Sequence, residues 1–271
     1  MPKKTKQILI LGVIVYLIIL TFPLMAGIKE SLVPGIKFHT DNAVYMYFYA
    51  QPFGANGSFI IMTVLPFVVI SILSSFYIIF MKNTNGITNI IQRLGYNKFL
   101  KNSVLQVFSI SSLISLIISI YEIIIINWTY FPFAFSNNGL FLSQRAHFST
   151  NSLINLISYI ITSSIGWGIF SVLIFGIGLF IKKDSIFLIS SLVVAFSIIL
   201  ICALIPINNI TIFISNLIIP MNLLAPGQVS FASQPNPPLG LTWTWIINAI
   251  IYSLIAFALI KLWHKKQLRG A

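Results

Sequence analysis

The chain has 271 residues, of which 58% are hydrophobic and 7% charged, with a mean hydropathy of +0.97. Soluble chains carry about 25% charged residues, so a water-bathed globule is excluded and the apolar excess must face lipid. Lys and Arg outnumber Asp and Glu by 16 to 4, but the cations cluster at the ends of apolar runs, where they meet headgroups, and no basic face interleaves with aromatic stacking residues, which excludes a nucleic-acid partner.

A helix needs about 20 apolar residues to cross the hydrocarbon core. Six runs meet that length, at 8–27, 58–80, 104–127, 152–181, 185–205 and 241–263. The expected fold is therefore an all-α integral membrane protein, a single transmembrane domain over 1–271. With the N-terminus inside, Lys3, Lys4, Lys6, Lys82, Arg93, Lys98, Lys101, Lys182, Lys183, Lys261, Lys265, Lys266 and Arg269 lie on the cytoplasmic side. Lys29, Lys37 and Arg145 lie outside, and this 13 to 3 split places both termini in the cytoplasm.

In chain order, the first run follows a basic start and is longer than a signal-peptide core, so it reads as a retained anchor. The outer loop at 28–57 carries Tyr45, Tyr47, Phe48 and Tyr49, and that at 128–151 carries Trp128, Tyr130, Phe131 and Phe133. Both read as headgroup-level anchoring or as substrate contact. Pro23 in span one and Pro66 in span two are expected to make local kinks.

The inner loop from Met81 to about Ser103 has structure of its own. Ile87, Ile90, Ile91 and Leu94 recur at helical spacing, with Thr88, Asn89, Gln92 and Arg93 at the other positions. Gly95 is the expected stop, followed by a turn at Tyr96 and Asn97. Such a short amphipathic helix either lies on the membrane surface or docks into a groove of a cytoplasmic partner and transmits its movement.

Span three holds the one carboxylate within a predicted span, Glu122, near its outer end. An ionisable group there marks either a packing role with access to headgroup water or the translocation path. Span four carries Ser158, Thr162 and Gly166, and also Ser164, Gly168 and Gly176, at intervals of four or eight. Small faces of this kind pack helices closely, within the subunit or across a dimer, or line a pore. Its length requires a tilt or an interfacial start, and Trp167 in it, like Trp243 and Trp245, reads as buried or interfacial mass.

Lys182-Lys183-Asp184 is too short to fold and makes spans four and five an antiparallel hairpin. Cys202 in span five is plain core. The apolar stretch from Asn208 to Leu224 is short and carries Pro220, and counting it as a seventh span would turn 13 to 3 into 9 to 7. It reads as a re-entrant or interfacial outer helix before span six, followed by the Pro-rich loop from Ser233 to Pro238.

A six-span chain whose inner loop opens with Gly86 and continues through Ile90-Ile91, Arg93-Leu94-Gly95-Tyr96 and Lys98 towards Lys101 resembles an ABC-2 type permease, the transmembrane subunit of a bacterial ABC transporter. The outer stretch from Asn208 to Leu224 is similar to the outer helices of that fold. Members of the family commonly end this loop helix with Pro-hydrophobic-Ser-Arg, where this chain has Leu94-Gly95-Tyr96-Asn97-Lys98. The resemblance implies that the loop is a coupling helix, with Ile87, Ile90, Ile91, Arg93, Leu94, Tyr96 and Lys98 contacting a cytoplasmic ABC ATPase subunit. It further implies a second permease subunit, a multi-pass place in the bacterial plasma membrane, and no cofactor on this chain, since ATP and Mg would sit on the partner ATPase.

Enzymatic readings lack their residues. His39, His147 and His264 lie far apart in sequence, no Gly-x-x-x-x-Gly-Lys-Ser/Thr loop is present, and four acidic residues leave little for acid-base or metal-dependent chemistry. The resemblance implies export of a hydrophobic or amphipathic substrate, a peptide, drug or lipid-like molecule, powered by a separate ATPase. Two other classes stand beside it. One is a non-transporting membrane protein giving self-protection against a membrane-active, bacteriocin-like peptide. The other is an ion-coupled secondary transporter, which the lack of repeated halves disfavours.

Overall fold

The structure is a computed structural model that describes residues 3–31, 43–51, 60–135, 146–204, 208–228, 237 and 239–269. It is built of helices α1 (Lys3–Ser31), α2 (Ala43–Ala50), α3 (Ile60–Asn83), α4 (Thr88–Leu94), α5 (Tyr96–Thr129), α6 (Ser152–Gly178), α7 (Asp184–Leu204), α8 (Asn209–Ile218), α9 (Met221–Leu224) and α10 (Gly240–Leu268). Lys37, His39, Arg145 and most of the loop at 233–238 fall outside the described residues.

Six of these helices, α1, α3, α5, α6, α7 and α10, are long and apolar enough to cross a membrane. They match the six apolar runs, because a backbone in hydrocarbon must satisfy every N–H and C=O internally and a long apolar run can do so only as helix. Their outward faces are apolar to a degree that water would not tolerate: Phe22 is 74% exposed, Leu204 73% and Phe257 65%. The molecule is a multi-pass membrane protein.

Helix α6 is the hub, packed against α3, α5, α9 and α10. It can sit there because small residues replace bulk wherever another backbone approaches. Gly168 lies against Phe108 and Ser112 of α5, Gly176 against Ala256 and Leu259 of α10, and Gly178 against Phe187 of α7 and Ile79 of α3. These glycines of span four therefore serve packing within the chain. Ser164 is buried with them, and Ser171 donates to Ser71 of α3 at 3.2 Å.

The bundle has two chemically different ends. At one end lie the C-termini of α3, α6 and α10, the N-termini of α5 and α7, and all of α4. The Lys82 ammonium donates to the carbonyls of Gly178, Leu179 and Ile181, and Asn83 donates to Asp184. Lys82 thus caps the end of α6, where unpaired carbonyls and the negative pole of the helix favour a cation. Lys82→Met is expected to lower stability by about 1–3 kcal/mol, seen as an earlier thermal-unfolding midpoint in detergent. Lys182→Met, at an exposed lysine, should leave the midpoint in place, and equal behaviour of the two would remove the cap from the account.

Three expectations change. Span three begins at Tyr96 rather than 104, so the turn expected at Tyr96 and Asn97 is the first turn of a 34-residue helix. Second, α7 packs chiefly on α3 rather than on its hairpin partner α6, because the chain between them, from Leu179 to Lys183, carries α7 over the α3 terminus held by Lys82 and Asn83. Third, the aromatics of the first outer loop are core. Tyr47 is 0% exposed, Phe48 6% and Tyr49 6%, because α2 folds inward and sets Tyr47 and Phe48 edge-on to Tyr159 of α6, with ring centroids 6.1 and 5.2 Å apart. Trp128, by contrast, is 83% exposed and fits the headgroup belt.

The stretch from Asn208 to Leu224 forms α8 and α9 at the end opposite α4. Asn208 caps α8 with a reciprocal capping box to Thr211, and ten residues span only about 15 Å, too little for a crossing. Pro220 separates the two helices, and its carbonyl accepts from Leu223 and Leu224. Asn248 of α10 donates to the Ile219 carbonyl at 2.9 Å and Tyr252 to that of Ile218 at 2.8 Å.

Candidate functional site

Two places in the fold carry the residues singled out in the sequence. The first is α4 at the lysine-rich end. The chain leaves α3 through a turn in which Asn85 takes φ 58°, and α4 runs from Thr88 to Leu94. It stops at Gly95, whose φ of 75° and ψ of 155° lie in a region essentially reserved for glycine. Because that single residue makes the whole reversal, α4 is joined to α5 without slack.

The apolar positions of α4 are divided by depth. Ile87, just before the helix, is buried; Ile90 and Ile91 are half-buried; Leu94 is exposed at 41%, and Arg93 is exposed. Tyr96 turns inward to stack edge-on to Trp263 at 6.3 Å and beside His264 at 5.8 Å, while Lys98 faces outward. Of the residues expected to form one contact surface, the structure therefore leaves Arg93, Leu94 and Lys98 exposed, holds Ile90, Ile91 and Tyr96 half-buried against the core, and buries Ile87. Beside α4 lies a recess of about 570 Å3, lined by Asn83, Ile87, Ile91, Lys182, Trp263 and Lys266 among others.

The second place is Glu122. It is 3% exposed, so the carboxylate does not reach the surface as an outer-end position suggested. Its Oε2 accepts from the Gln51 amide at 2.8 Å, and the Gln51 oxygen accepts from the Tyr159 hydroxyl at 3.1 Å. The Gln51 amide also donates to the Tyr47 carbonyl at 3.2 Å, which pins it to the end of α2. Ser115, Ser119 and the Tyr16 hydroxyl, which has no hydrogen-bond partner, border the same cavity of about 20 Å3. One water needs at least about 10–15 Å3, so the space is sized and lined for a single bridging water and not for a substrate.

The sequence reading named Glu122 and missed its partners. A signal for the face existed: Ser111, Ser115 and Ser119 lead to Glu122 at near-helical intervals, and all are buried along α5. Gln51 and Tyr159 gave none, being 71 and 108 residues from the atoms they meet. Among the described residues, no group of three or more His, Cys, Asp or Glu is placed to hold a metal ion. Comparisons with protein-family models, with curated proteins and with solved structures find no match.

Proposed function

We propose that this chain is the membrane-spanning subunit of an ABC exporter in a bacterial plasma membrane, with the α4 end in the cytoplasm. The observation that supports the reading is α4 itself: a short helix with Arg93 and Leu94 exposed beside half-buried Ile90 and Ile91, tied through Gly95 alone to a 34-residue helix. At about 1.5 Å per residue that helix is about 50 Å long, against a hydrocarbon core of about 30 Å. A push on α4 is therefore delivered to a rigid rod that passes the whole membrane and lies along the hub helix α6.

In this reading a cytoplasmic ATPase subunit carries ATP and Mg, seats α4 in a groove, and on closing shifts α5 together with α3 at the other end of the turn. Two permease subunits, identical or different, would form the pathway. The cargo would be hydrophobic or amphipathic, in keeping with spans that offer few charges. The recess beside α4 gives the ATPase a polar rim, with Lys182 and Lys266, around its apolar contact.

Affinity purification of the tagged chain from its own membranes is expected to bring down a P-loop ATPase that has no membrane spans. The paired substitution Arg93→Glu and Leu94→Asp, at two exposed side chains, should abolish that association, while the chain still reaches the membrane with an unchanged thermal midpoint. Purification without any ATPase, or an association indifferent to both changes, would refute the exporter reading.

A further inference from the structure

A cleft of about 680 Å3 opens on the outside of the bundle between α5, α6 and α10, at the α4 end. Its origin is the packing of the hub. Gly168 draws α5 onto one side of α6 and Gly176 draws α10 onto the other, which leaves Ile169 and Val172 of α6 as a floor between two walls. Val104 and Phe108 form one wall, Ala256 and Ile260 the other. The rim residues Leu105 and Phe257 are 54% and 65% exposed.

The basic side chains are confined to one end. Lys101, Lys261 and His264 stand at the mouth, and no acidic residue is among those that line it. Along α10 the slot runs from His264 to Ser253, about 16 Å at helical rise. That is about half of a 30 Å hydrocarbon core, or the depth of one leaflet. A slot one leaflet deep, apolar along its length and cationic at its headgroup end, has the shape and charge of a lipid site; basic pockets between membrane helices on the cytoplasmic side take anionic headgroups.

We infer that the cleft binds an anionic phospholipid of the leaflet at the α4 end, with an acyl chain on Ile169 and Val172 and the phosphate between Lys101, Lys261 and His264. A second copy of the chain fits less well. It would have to cover two lysines, and of the four acidic residues in the sequence Glu122 is buried and Asp184 is bonded to Asn83. A phosphate supplies the counter-charge that no residue lining the cleft provides. The inference rests on membrane embedding and on the basic residues at the cleft mouth, not on an ATPase partner, so its failure leaves the exporter reading where it stood.

The test is native mass spectrometry of the full chain in detergent, titrated with phosphatidylglycerol or with phosphatidylcholine. The first phosphatidylglycerol should bind more tightly than the first phosphatidylcholine. Lys101→Gln with Lys261→Gln, at two exposed side chains, should weaken phosphatidylglycerol by about fivefold per lysine and spare phosphatidylcholine. Lys265→Gln with Lys266→Gln, outside the cleft on the same helix end, should change neither. Ser253→Trp, which fills the apolar slot, should weaken both lipids without altering the oligomeric state. Equal affinity for the two lipids, or an equal loss in the Lys265 and Lys266 pair, would overturn the site in favour of general surface attraction. Unchanged lipid binding in Ser253→Trp together with a changed oligomeric state would hand the cleft to a second copy.

Discussion

Gly166→Leu is expected to prevent the chain from accumulating in folded form, and Gly166→Ala to lower the thermal midpoint by an amount equivalent to about 1–3 kcal/mol. A Cβ at this position would overlap the carbonyl oxygen of Leu223 and crowd its carbonyl carbon. The obstacle is backbone, so no rotamer change relieves it, and that backbone is fixed from three sides. Trp245 donates to the Leu223 carbonyl at 3.2 Å, Ser163 donates to that of Leu224, and Asn222 donates to the Asn216 carbonyl at 2.7 Å. Moving α9 away to make room would break these bonds in a setting where water cannot replace them. Gly12→Ala is the matched control: the nearest atoms its Cβ would meet belong to the flexible Leu73 side chain, at 3.2 Å, and it should shift stability by less than about 1 kcal/mol. A Gly166→Ala protein that melts with the wild type would show that α9 yields, and would unseat the close approach of α6 and α9 as a structural requirement.

Gln51→Leu is expected to cost about 2–3 kcal/mol, because it removes a hydrogen bond to a buried carboxyl group and leaves that group without the amide. The Tyr159 hydroxyl loses its acceptor in the same step. Adding Glu122→Leu to Gln51→Leu should recover much of the loss, since removing both partners deletes the unmet demand that removing one creates. A double-mutant cycle with no coupling would mean that the Gln51 contact contributes nothing. Glu122→Gln keeps a partner for the Gln51 amide and should fold normally, so it isolates function: transport that fails in a folded Glu122→Gln protein places the carboxyl group on the working path. Transport that continues would confine it to holding α2 against α5 and α6. The cavity beside it is too small for cargo at about 20 Å3, which favours the second outcome.

How much of this could be read from the sequence differs from element to element. Each spanning helix was legible because an apolar run of sufficient length is a local property, and the bilayer allows it only one regular form. The stop of α4 at Gly95 was legible for a local reason too, a glycine where the chain must reverse. Its continuation straight into α5 was not, since Tyr96-Asn97-Lys98 reads as polar loop until Tyr96 is seen against Trp263 and His264. The small residues of span four announced close packing but not the partners, which turned out to lie on α5, α9 and α10.

The first outer loop shows the limit most clearly. Tyr45, Tyr47, Phe48 and Tyr49 have the composition of a headgroup belt, and composition alone cannot distinguish an aromatic cluster facing lipid from one turned inward. Burial of α2 against α1, α5 and α6 decided it, and with it the position of Gln51 beside Glu122. By itself the sequence determined the number and order of the membrane helices and the concentration of lysine at one end, all properties of contiguous segments. Only the tertiary structure decided that Glu122 is paired rather than solvated, that Lys82 caps α6, and that a leaflet-deep cleft separates α5 from α10, because each depends on side chains brought together from segments far apart in the chain, which periodicity and composition do not encode.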